Sequence, residues 1–131
     1  MRIKRIGATV TAMLATLTGV ALVNATPAAA VGGCDANQLC LYRSTQFRTM
    51  ALETTKTSEC WLLSDYGLTR PWNGISSYVN NLSVNATLYG YDGDWWNTGG
   101  IPSHSYSSDS TSNPWFGVSH YVCTGNATPW S

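Results

Sequence analysis

Few side chains in this 131-residue chain could carry catalysis. Acid–base chemistry needs titratable groups converging on one pocket, and the sequence supplies two histidines, His104 and His120, with seven carboxylates scattered between other residues. No H-E-x-x-H, no G-x-S-x-G and no phosphate-cradling glycine loop occurs. The closest enzyme would be a small secreted ribonuclease using Glu53, Arg70 and His104 or His120. Those residues fall in three separate segments without a recognised spacing, so the expectation is a protein that is not an enzyme. Asp92 and Asp94 stand two apart in a glycine-bearing stretch, a position where carboxylates initiate turns.

The other chemistry-bearing residues are Cys34, Cys40, Cys60 and Cys123, spaced by 6, 20 and 63 positions. A zinc site is not expected, because there is no C-x-x-C pair and neither histidine lies beside a cysteine pair. An even count in an oxidising compartment reads as two bridges, with three connectivities open. The amino terminus indicates that compartment. Arg2, Lys4 and Arg5 precede an apolar run from Ile6 to about Val23, and Ala28, Ala29 and Ala30 follow as a small-residue cleavage site. Residues 1–30 therefore read as a secretory signal peptide, leaving a secreted, extracellular domain of residues 31–131.

Three of the seven basic residues leave with the signal while all seven acidic ones stay, so four basic residues face seven acidic ones. A weakly acidic domain with no basic run is suited neither to nucleic acid nor, once the signal is removed, to a membrane. A domain of this size has a modest core, which disulfides commonly reinforce in exported proteins.

The elements that must position these residues read as strands. Tyr, Trp, Val and Thr gather in short runs broken by Gly, Asn, Asp, Ser and Pro, with no amphipathic stretch of helical length, and an all-β domain follows. An internal repeat organises it: "PWNGISSYV" (71–79) returns as "PWFGVSHYV" (114–122), identical at six of nine positions. "LY" at Leu41 likewise returns at Leu88. Two units of forty-odd residues are too short to stand alone and must share one core. Alternation in the repeat assigns Ile75, Ser77 and Val79, with Val118 and Val122 in the second copy, to that core. Trp72 and Trp115 are expected to cover its ends. The stretch from Asp92 to Pro114 reads as a long loop, broken at most by a short strand near Ser105–Ser107.

These residues resemble the βγ-crystallin fold, whose Greek keys carry a Tyr-x4-Phe/Trp-x-Gly hairpin and a later (Asn/Asp)-(Asn/Asp)-x-x-(Ser/Thr)-Ser segment. "YRSTQF" (42–47) fits the hairpin with Thr49 where glycine is expected, and "YGYDGDW" (89–95) fits with one extra residue. "WNGISS" (72–77) and "WFGVSH" (115–120) stand at the second motif. With the export signal, Cys-x5-Cys-Leu-Tyr and "SSYVNN", the chain is similar to the secreted bacterial metalloproteinase inhibitors of crystallin-like architecture.

The resemblance implies a two-Greek-key sandwich forming a single domain, with keys at about 38–83 and 85–123 and a short tail, 124–131. In that architecture the third strand of one key crosses to lie beside the fourth of the other, which pairs Cys60 with Cys123 and leaves Cys34 with Cys40. It implies a monomer whose partner is a secreted thermolysin-like metalloproteinase. The contact would be a loop from Asp92 to Ile101 offering Trp95, Trp96 or Ile101; alternatively Trp95 and Trp96 cap the second hairpin and another edge, such as Leu62 and Leu63, meets the protease or nothing does. Calcium, which crystallin motifs can bind, is not expected, and neither is another cofactor. Ser76 and Ser119 keep the hydroxyl position, but Trp72 with Asn73, and Trp115 with Phe116, occupy the acidic pairs, leaving no carboxylate for the ion. Two other functions suit the same fold: a structural or stress protein, and a carbohydrate or cell-surface binder stacking sugars on Trp95 and Trp96.

Overall fold

Leu39 and Leu41 alternate with Cys40 and Tyr42 in the first strand, β1 (Leu39–Ser44), so both of its faces are apolar. Both faces are covered. Leu39 and Leu41 join the main core, while Cys40 and Tyr42 join a smaller cluster with Cys34 and Val79 beneath the amino-terminal segment. These positions come from a computed structural model that describes residues 28–130. The signal-peptide reading thus lies outside the described residues except at its last three positions, 28–30.

A tight turn joins β1 to β2 (Arg48–Thr54), with Gln46, Phe47 and Thr49 all at positive φ. Thr49, where the resemblance expects glycine, adopts the left-handed conformation at φ 62°, an unusual one for a β-branched residue. β3 (Cys60–Leu62) is short and passes into a 3-10 turn over Leu63–Tyr66. Then come β4 (Ser77–Asn80), β5 (Ala86–Tyr91), β6 (Trp95–Ile101), β7 (Ser105–Ser107), a single helical turn α1 (Trp115–Val118) and β8 (Tyr121–Thr124).

The strands form two four-stranded antiparallel sheets, ordered β2-β1-β4-β7 and β3-β8-β5-β6. Each half of the chain thus lends one strand to the other half's sheet: β3 lies beside β8, and β7 beside β4. The main core takes Leu39, Leu41, Leu52, Leu63, Leu68 and Ile75 from the first half and Ala86, Leu88, Ile101, Phe116 and Val122 from the second. The halves share it, as their length requires.

The disulfides are Cys34–Cys40 and Cys60–Cys123. Cys60 and Cys123 are direct register partners in β3 and β8, so the long bridge ties the two halves across the exchanged strand. Buried Asn80 is a second tie: its amide donates to the carbonyls of Val84, Ile101 and Pro102, and its Oδ1 accepts from Leu82 N–H. Asn81 donates to the carbonyls of Cys34 and Asp35, pinning the small disulfide loop.

Three expectations from the sequence need correction. The repeat is not a strand along its length, because its first copy begins in a turn and its second contains α1. Val79 faces the smaller cluster and not the shared core, while Val118 is only half-buried and Phe116 fills the core in its place. The stretch from Asp92 to Pro114 is no long loop, since β6 occupies Trp95–Ile101 and β7 follows at Ser105–Ser107.

Candidate functional site

Of the three side chains expected on an exposed loop, two are held by the fold. Ile101 ends β6 and is 0% exposed in the main core, so it cannot meet a protease. Trp95 pairs across the hairpin with Tyr91, at a ring distance of 4.7 Å, and meets Tyr121 edge-on at 5.3 Å. Trp96, 37% exposed, is the most open of the three, and it leans over Gly90 at the rim of the core. The hairpin therefore offers its Asp92–Asp94 tip and the edge of one indole.

A different exposed segment is anchored more firmly. Between β2 and β3, Lys56, Thr57, Ser58 and Glu59 are all exposed, and β3 is an edge strand of the second sheet. Three contacts hold this segment at its carboxyl end. Thr124 N–H donates to the Glu59 carbonyl at 2.8 Å, Glu59 N–H donates to Thr124 Oγ1 at 3.2 Å, and Cys60 is bridged to Cys123. The Thr57 carbonyl sits where a side chain on Gly125 would project, only 2.2 Å from an ideal Cβ, and Gly125 itself is at φ 61°. Glycine is needed there so that the two backbones can touch. Trp61 and Leu62 follow, both half-buried, with Trp61 packed against the main core. Lys56 and Glu59 form an exposed ion pair at 3.9 Å, which contributes little.

The two copies of the repeat meet at a second candidate site. Ile75 N–H donates to the Phe116 carbonyl, and Gly74, at φ 79°, lies so close to Gly117 that a Cβ would fall 2.4 Å from its Cα. Beside this contact a cleft of about 250 Å³ is lined by Arg70, Trp72, Asn73, Ser110, Asn113 and Phe116, among others. Its charged lining residue is Arg70, which suits no cation. Asn73 is exposed at this cleft, whereas Ser76 and Ser119 are buried. The Ser119 hydroxyl is engaged, donating to the Trp115 carbonyl and sharing a 2.6 Å hydrogen bond with Thr98. Trp72 and Trp115 are half-exposed rather than covering the core.

The titratable residues stay dispersed. Glu53 lies on β2 in the first sheet, Arg70 beside the repeat, His104 between β6 and β7, and His120 just before β8. Among the described residues no group of three or more His, Cys, Asp or Glu could hold a metal ion. Among the described residues two groups have displaced pKa values. Burial, with a contribution from the Glu53 charge, raises the Tyr42 phenol above its ordinary 10.0, and hydrogen bonds from Thr111 lower the exposed Asp109 carboxyl.

Sequence reasoning offered Leu62 and Leu63 only as an alternative edge, of which Leu62 is half-buried and Leu63 is buried in the main core, and it missed the exposed stretch before them because its residues are individually ordinary; the signal was the cysteine that ends it. It also missed Asn80 and Asn81 as ties, although "SSYVNN" carries both. No family model, no curated protein and no solved structure matches the chain.

Proposed function

We propose that the chain is a secreted inhibitor of extracellular thermolysin-like metalloproteinases, built as a βγ-crystallin-like pair of Greek keys. The observation that carries this reading is the strand exchange locked by Cys60–Cys123, because it is the arrangement the resemblance to the inhibitor family implies. Two formed disulfides fit an oxidising, extracellular setting, and no helix among the described residues is long and apolar enough to cross a membrane.

An inhibitory segment must be exposed and already rigid, since ordering it on contact costs affinity. The segment 55–62 meets both needs better than the β5–β6 hairpin, whose Trp95 is packed and whose Ile101 is buried. Leu62, half-buried and next to the anchored stretch, is the apolar side chain it would present. The test is a panel of metallo, serine and cysteine proteases assayed with the purified protein. Selective slowing of a thermolysin-like metalloproteinase is expected; failure to slow any metalloproteinase removes the assignment.

A further inference from the structure

The second sheet turns a face to solvent that the core does not use and that the protease reading touches only at its β3 edge, where Leu62 stands opposite Tyr121. Leu88 of β5 points into the core, so Thr87, Tyr89 and Tyr91 point outward. Opposite them on β6 stand Gly100, Asn97 and Trp95, and Tyr121 of β8 pairs with Tyr89. The carboxyl-terminal segment adds Trp130, whose ring meets Tyr89 edge-on at 5.4 Å. Edge-to-face contacts of Tyr89 with Trp130 and of Trp95 with Tyr121, and a tilted one between Tyr91 and Trp95, fix these rings against one another, yet Tyr91 and Trp130 remain 46% and 59% exposed.

Two features identify what such a face takes. None of these outward positions is charged, the nearest charges along β5 and β6 being Asp92 and Asp94 at the hairpin tip; a lipid headgroup or nucleic acid would call for basic residues. The aromatic patch also runs into an open groove of about 270 Å³ bordered by Asn85, Thr87, Asn97 and Gly100, which offers amides and a hydroxyl instead of the apolar, desolvated centre of a protein interface.

We propose that this face binds an uncharged polysaccharide. A sugar ring presents an apolar C–H face whose polarised hydrogens match the negative face of an aromatic ring, and its hydroxyls require both donors and acceptors. Tyr91 and Trp130 stack successive rings of the polymer, Asn97 and Thr87 bond their hydroxyls, and Gly100 leaves the groove open for the adjoining residue.

The test is retention of the purified protein on insoluble cellulose, chitin and starch at high salt, with soluble oligosaccharides as competitors. Retention on at least one polymer is expected. Tyr91→Ala and Trp130→Ala should each weaken it about threefold to tenfold. Gly100→Val should abolish it without lowering the melting temperature, because a Cβ there finds its nearest neighbour, the Ala86 carbonyl, at an ordinary 3.7 Å. Protease inhibition should survive Gly100→Val, which keeps the two readings separately testable. The proposal is overturned if no polymer retains the protein, or if all three variants are retained like the parent. It is also overturned if the protein sediments as a dimer that Tyr91→Ala splits and no polymer holds it, since the face would then join two copies of the chain.

Discussion

Pro71–Val79 and Pro114–Val122 share six of nine residues and lie 43 positions apart, yet their backbones part company within three residues. In the first copy the Arg70–Pro71 peptide is cis, Asn73 is exposed, and the chain turns directly into β4. In the second, Phe116 replaces Asn73 and is buried, its ring 5.8 Å from Tyr78. Burying it takes a helical turn, started by Asn113, whose Oδ1 accepts from Trp115 N–H and whose carbonyl accepts from Phe116 N–H.

That turn uses up one more residue. Ser76 N–H donates to the Tyr42 carbonyl in the first half, and the equivalent donor to Tyr89 in the second is His120, 44 positions later. A one-residue slip reverses the faces of a strand. Tyr78 and Val122 therefore become the inward partners of Leu41 and Leu88, while Val79 turns away from the shared core to the smaller cluster. From the third position of the repeat onward the two copies thus run one residue out of phase.

The largest expected effect comes from cutting what joins the halves. Replacing Cys60 and Cys123 together by Ser opens a 63-residue separation and should cost about 4 kcal/mol on loop-closure entropy, against about 2 kcal/mol for Cys34 and Cys40, separated by 6. Chemical denaturation of both double variants checks the ranking; equal losses would mean that the exchanged strand does not depend on its bridge.

The paired glycines come next. Gly74→Ala should lose about 3 kcal/mol, because the new methyl meets Gly117 backbone and the residue sits at positive φ. Gly117→Ala finds its nearest neighbour at 3.8 Å within a helical turn, and should change stability by less than about 1 kcal/mol. Similar losses at both sites would restore the symmetry that the two copies lack.

The paired serines should differ less. Ser119→Ala leaves the buried Thr98 hydroxyl without its partner and should cost about 1 to 2 kcal/mol, whereas Ser76, whose backbone alone is bonded, should lose well under about 1 kcal/mol as Ala. Thermal melts of the two variants separate these outcomes.

The smallest effect is in pH. Tyr42 donates its hydroxyl hydrogen to the Gly32 carbonyl and keeps its proton more tightly folded than unfolded. A raised pKa stabilises the fold below the unfolded value of about 10 and loses that contribution as pH rises through the folded value. Tyr42→Phe should flatten the alkaline fall in stability, which chemical denaturation of parent and variant across the alkaline range measures.

The repeat, the four cysteines and the alternation of Tyr, Trp and Val made the all-β class and the shared core legible before any coordinates. Position was less legible than class. Trp95 and Ile101 read as loop residues because Gly, Asn and Thr surround them, but β6 is an edge strand over which Gly99 and Gly100 are tolerated, and pairing with β5 overrides their weak propensity. The reversal at Val79 was hidden for a related reason. Alternation fixes which residues share a face, and only the tertiary placement of Phe116 decides which face is inside.

The proposed role of strand exchange is to hold the segment 55–62 rigid for a protease. It is tested most directly by titrating a thermolysin-like metalloproteinase with the parent, Trp96→Ala and Leu62→Ala, each first shown to melt like the parent. The parent should inhibit, Trp96→Ala should inhibit as well as the parent, and Leu62→Ala should inhibit about tenfold or more weakly, as for a side chain lost from a buried contact. An undiminished Leu62→Ala beside an inactive Trp96→Ala would contradict it by moving the contact to the hairpin, and a parent that leaves the protease at full rate would contradict it outright.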